Sequence, residues 1–158
     1  MQCNFQVLAL DATSFAPLFQ LTDAELAERG MRRQTVDQKP GYPCRVSLQD
    51  ADLGEEVILL PYAHHTTKAP YRASGPIYVR KDVPQATLPP NELPRILSHR
   101  LLSIRAYDAN GMMIQAKVEK GDQLRPLIQQ LLQQQAVHHL DVHNAGPGCY
   151  NCRIERMA

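Results

Sequence analysis

The sequence has almost no net charge, few aromatic residues, few cysteines and no long apolar run, and each shortage narrows the field. Seventeen Lys and Arg stand against sixteen Asp and Glu, leaving a net charge of +1. Three Phe and six Tyr add little stacking surface, so a nucleic-acid face, which needs basic residues interleaved with aromatics, is disfavoured. The first basic side chain is Arg29, and the opening residues alternate polar and apolar, so no charged segment precedes an apolar signal core. The longest weakly charged stretch, Pro126 to Leu140, holds five glutamines and two histidines, too polar for a bilayer. These shortages lead us to expect a cytoplasmic protein with neither membrane nor nucleic acid as partner. The four cysteines, Cys3, Cys44, Cys149 and Cys152, are expected to be free thiols rather than a disulfide framework.

What is present is an ordinary soluble composition, 44% hydrophobic and 21% charged over 158 residues, with no internal repeat and no Gly/Ser linker. A chain of this length buries roughly 70% of its unfolded surface in one core, which predicts a single domain over 1–158 needing no staple. Strands are expected at Asn4–Leu10, Met31–Val36, Arg45–Leu48, Glu55–Tyr62, Ile77–Arg80, Val137–His143 and Cys149–Glu155. The unbroken Val57 to Leu60 run marks a central strand. Thr22 and Glu25 have capping-box spacing ahead of Gly30, which predicts a short helix. Leu124, Leu127, Ile128, Leu131 and Leu132 recur at helical spacing, with Pro126 tolerable only in the first turn, and a shorter helix is expected at Glu92–Ser98. Between Arg100 and Glu119 we expect a hairpin closed by the three-residue loop Ala109-Asn110-Gly111. It would pair Ala106 with Ile114, Ile104 with Ala116 and Leu102 with Val118, so that both apolar sets share a face. Strands in runs rather than in strict alternation with helices predict an α+β fold, a mainly antiparallel or mixed sheet with a few helices packed on it.

Three stretches resemble a known family when read together: Pro70-Tyr-Arg-Ala-Ser-Gly-Pro-Ile-Tyr-Val-Arg80, the segment His99 to Met113, and His143-Asn-Ala-Gly-Pro-Gly-Cys-Tyr150. With Pro40-Gly-Tyr-Pro-Cys-Arg-Val46 they resemble the bacterial family catalogued as domain of unknown function 1203, over nearly the whole chain. The resemblance implies no activity. Its last motif ends at Cys149 and an aromatic, so a Cys149-x-x-Cys152 pair would be peculiar to this sequence. No second such pair exists and no helix follows to lower a thiol pKa, so neither zinc nor redox chemistry is assigned there.

His139, Asp141 and His143 would line one strand face. Neighbours two apart can share an ion or form an acid/base pair, but the outer two are about 13 Å apart, beyond one coordination shell. The favoured reading is a solvated polar face. Adjacent His64 and His65 diverge on an extended chain, so one is assigned to a loop. No metal and no cofactor is assigned. The sharper hypothesis concerns the loop 144–149, whose glycines let backbone N–H groups converge on an anion beside a thiol. Cys149 would be its nucleophile and His143 the base, with Asn144, Gly146 and Gly148 binding ligand and Arg72 and Ser74 arriving from the other motif as an anion clamp. The function expected is a small-molecule enzyme or binding protein with a polar pocket for a small anionic ligand. The alternative is a non-catalytic interaction module using a sheet face or edge. A homo-oligomer is left open and not predicted.

Overall fold

The computed structural model describes residues 2–158 and contains two antiparallel sheets with short helices, an α+β fold. In the larger sheet the strands run in the order β1 (Phe5–Leu8), β8 (Tyr150–Arg156), β7 (His139–Asn144), β5 (Leu101–Tyr107), β6 (Met113–Lys120). The smaller has β3 (Glu56–His65) between β2 (Arg32–Thr35) and β4 (Ala73–Arg80). The central position of β3 follows from its sequence. Val57 packs with Val36 and Ala51 on one face, while Ile58 and Leu60 join Ile77 and Val79 on the other.

Four helices accompany the sheets: α1 (Ala12–Phe15), α2 (Asp23–Glu28), α3 (Arg95–Ser98) and α4 (Leu124–Leu132). Both bonds of the α2 capping box form, Glu25 N donating to Thr22 Oγ1 at 3.2 Å and Thr22 N to Glu25 Oε2 at 3.3 Å. Pro126 sits in the first turn of α4, where it displaces no intrahelical donor. Leu124, Ile128, Leu131 and Leu132 bury the apolar stripe of α4 against Leu102, Ile104, Leu140, Val142 and Ile154. The helix expected from Glu92 begins only after Pro94, whose extended backbone is its N-cap. No helix among the described residues is long and apolar enough to cross a membrane.

Two strand expectations are corrected. Residues 45–48 form a turn, closed by Leu48 N donating to Cys44 O, and Leu48 is left-handed at φ 54°. In the hairpin the Ala109-Asn110-Gly111 loop forms, with Asp108 N bonded to Met112 O at 2.9 Å and Gly111 left-handed at φ 80°. The register beyond it differs. Tyr107 faces Met113, but Ala106 then faces Gln115, so Ile114 is an extra residue and Ile104 opposes Lys117. This bulge turns Ile114, Ala116 and Val118 away from the α4 side. Ile114 is 41% and Val118 61% exposed. Because β6 is an edge strand with little to bury against, hydrophobic patterning does not fix its register and the bulge does.

Candidate metal centre

Alternation along β7 sends Leu140 and Val142 into the core under α4 and His139, Asp141 and His143 to the other face. That face is not solvated, contrary to the sequence expectation. The small sheet closes over it, and all six residues of β7 are buried, with Asp141 and His143 at 0% exposure. The end of β3 supplies two more ligands through a second bulge. Ala63 faces Ser74 and His65 faces Ala73, which leaves His64 as the extra residue. A regular strand would send adjacent side chains apart, but here the His64 ring meets His143 at 4.8 Å between centroids and the His65 ring lies 6.3 Å from His139. Neither is loop decoration.

The result is two overlapping triads, His64–Asp141–His143 and His65–His139–Asp141, in each of which the ligand atoms lie within 4.8 Å of one another. Asp141 belongs to both, whereas His139 and His143 are divided between them, which respects their separation along the strand. Each imidazole that has a polar partner spends its far nitrogen on it. His143 Nδ1 donates to the Gly148 carbonyl at 2.9 Å, and His65 Nε2 donates to the Gly111 carbonyl at 2.9 Å. Since a carbonyl only accepts, both tautomers are fixed, and the inward nitrogens carry lone pairs. His139 Nδ1 lies 3.0 Å from His138 Nδ1, so with His139 as donor its Nε2 is also a lone pair. Five buried atoms facing this space lack a protein partner: His64 Nδ1, His65 Nδ1, His139 Nε2, His143 Nε2 and Asp141 Oδ2.

Electrostatics keep three of the imidazoles in ligand form. Burial pushes His139 and His143 down to about 3 and His64 to about 4, with the Arg105 or Arg153 cation adding to the effect, so these three are neutral at pH 7. Burial raises the Asp141 carboxyl, and Arg153, whose Nε donates to Asp141 Oδ1 at 3.1 Å, opposes that rise. A buried polar atom without a partner costs about 1–3 kcal/mol, and five together need a shared donor or cation. Four imidazole nitrogens and one carboxylate oxygen suit zinc or a similar borderline transition ion.

The residues named from sequence divide differently. His143 belongs to the cluster, and Gly148, left-handed at φ 82°, supplies the carbonyl that orients it. Asn144 is buried and its Oδ1 accepts from Asn151 Nδ2 at 2.8 Å. Together with Gly146 and Cys149 it lines a separate cavity that Arg45 also lines. Arg72 and Ser74 are exposed where β4 begins; the neighbouring Tyr71 ring packs on Tyr107, at one end of β5. The loop 144–149 is tied to the other end of β5, Ala145 N donating to Leu101 O. Arg72 and Ser74 do not line the cavity that Gly146 and Cys149 line, although Pro76, two residues beyond Ser74 on β4, does. The arginines that share a cavity with the loop are Arg100 and Arg45, the latter in a segment expected to be a strand. Cys152 sits in the apolar core beneath α4, burial raising its thiol, and all four cysteines are free.

A family model described as Protein of unknown function (DUF1203) matches residues 41–156. No curated protein and no solved structure matches.

Proposed function

This chain belongs to the DUF1203 family, and we propose that it is a metalloprotein binding two transition-metal ions between its sheets. One ion takes His64, His143 and Asp141, the other His65, His139 and Asp141, with the carboxylate between them. The observation that carries this reading is the set of five buried polar atoms without hydrogen-bond partners in the protein, two of whose imidazoles are turned by hydrogen bonds on their far nitrogens. Three protein ligands per ion leave a position for a small molecule, as in catalytic rather than closed structural sites. Half-exposed Arg105 and Arg153 flank it and favour an anionic one. The small-molecule function expected from sequence is thereby kept, with its centre moved to the histidines.

The test is metal loading of the full chain. After stripping with a chelator, Zn2+ titration followed by elemental analysis should find two ions per chain, and Asp141→Asn should lose both. Retention of both ions by Asp141→Asn would reject the shared carboxylate.

The outer strand favours a second, non-catalytic reading. Ile114 and Val118 form an exposed apolar row on β6, whose outer edge has no partner strand among the described residues and is suited to pairing with another strand. Sedimentation of the parent and Val118→Lys tests it. A parent dimer that Val118→Lys dissociates supports it, and a monomeric parent rejects self-pairing.

A further inference from the structure

Arg45 is the largest fully buried side chain among the described residues, 1% exposed. Its Nε donates to Tyr150 O at 2.7 Å and its Nη1 to Pro43 O. Both partners are neutral carbonyls. No ion pair to Arg45 forms among the described residues, whereas Arg100 holds Asp50 by two bonds of 3.0 and 2.6 Å and Arg80 holds Glu55. Burial draws the Arg45 guanidinium down only to about 10, so it keeps its proton at neutral pH. A buried cation without a counter-ion is strongly unfavourable. The compensating charge has to come from outside the chain.

The space for it is present. Arg45 opens on a cavity of about 610 Å³ whose walls are largely apolar, from Leu59, Pro76, Leu101 and Pro147, with the Cys149 thiol at its edge. We propose that this cavity binds a small organic monoanion, its carboxylate paired with Arg45 and its apolar body against those walls. The charge count selects the class. Arg100 also lines the cavity, but Asp50 already neutralises it, so one positive charge remains, which matches a monocarboxylate better than a phosphate dianion. The site uses none of the histidines between the sheets and stands independently of the metal reading.

Cys149 is a built-in reporter, half-exposed at the cavity while Cys44 and Cys152 are buried. The experiment uses the full-length chain after chelator treatment, with benzoate, inorganic phosphate and chloride as probes. Iodoacetamide labelling is read by peptide mass spectrometry. Saturating benzoate should slow alkylation of Cys149 about tenfold and leave Cys3 unchanged, with phosphate and chloride at equal ionic strength having no effect. Arg45→Gln is the direct variant but disturbs a buried hydrogen-bonded side chain. Gly146→Leu is the second. Gly146 lines the cavity, a Cβ there meets nothing within 4 Å and its backbone is not left-handed, so a leucine adds bulk at the cavity wall without forcing the loop. It should weaken benzoate binding about tenfold or more in calorimetry while the chain stays folded. Equal benzoate affinity in Gly146→Leu and the parent, equal protection by phosphate, or no protection at all would each overturn the proposal.

Discussion

The two faces of β7 are equally buried and chemically opposite. Leu140 and Val142 meet α4 in a close-packed apolar core, whereas His139, Asp141 and His143, alternating with them, meet His64 and His65 across a polar interior full of unpaired acceptors. Burial on the first face stabilises the fold; on the second, without an ion, it opposes folding. A strand that is apolar on one side and ligand-bearing on the other fixes its ligands rigidly because the first side anchors it, which is what a metal centre needs.

Substitutions on the two faces should therefore separate stability from binding. Leu140→Ala should cost about 2–5 kcal/mol in urea unfolding of the metal-free chain, leaving the Zn2+ stoichiometry of the remaining folded protein unchanged. His143→Gln, which keeps most of the buried volume, should do the reverse, lowering Zn2+ affinity by about 100-fold or more, beyond what an outer-shell partner controls, with a smaller loss of metal-free stability than Leu140→Ala. Equal behaviour of the two variants would erase the distinction between the faces.

The next effect is that of the ion itself. Zn2+ at about 100 times its dissociation constant should add about 2.7 kcal/mol per site to unfolding stability, and a chelator should remove it. Differential scanning calorimetry with and without chelator measures this.

The polar face also sets a pH dependence in the metal-free protein. His139 and His143 are held at about 3 when folded and return to near 6.5 when unfolded. The unfolded chain thus binds more protons below pH 6.5, and stability falls as pH drops from there toward the folded values. Urea midpoints should decline between pH 7 and pH 5, less so once both histidines are replaced by glutamine. A midpoint independent of pH in this window would mean that the imidazoles are not held neutral.

The smallest effect belongs to Arg72→Ala. Exposed, and lining neither the Arg45 cavity nor the histidine cluster, Arg72 should change stability by no more than about 0.5 kcal/mol and leave benzoate and Zn2+ binding as in the parent.

What was legible in the sequence was local. The α2 capping box, the first-turn position of Pro126, the three-residue loop ending at left-handed Gly111, the alternation of β7 and the central place of β3 each depend on neighbours a few residues away. The resemblance to the DUF1203 family rested on contiguous motifs and is shown by the match over 41–156. What was hidden depends on distant packing. Nothing near His64 announces the bulge that turns it beside His65, and nothing in β7 announces that a second sheet covers it. Arg45 read as the start of a strand because its partners, Pro43 O apart, lie at Tyr150 and the cavity beyond. The clamp assigned to Arg72 and Ser74 required a juxtaposition that strand order alone decides.

The central claim, that histidines from β3 and β7 share metal ions through Asp141, is tested most directly by calorimetric titration of Zn2+ into the chelator-stripped full chain, with Asp141→Asn in parallel. The account predicts two ions per parent chain and none held at comparable affinity by Asp141→Asn. A parent chain that takes up no zinc, or an Asp141→Asn variant that binds it as the parent does, would contradict it.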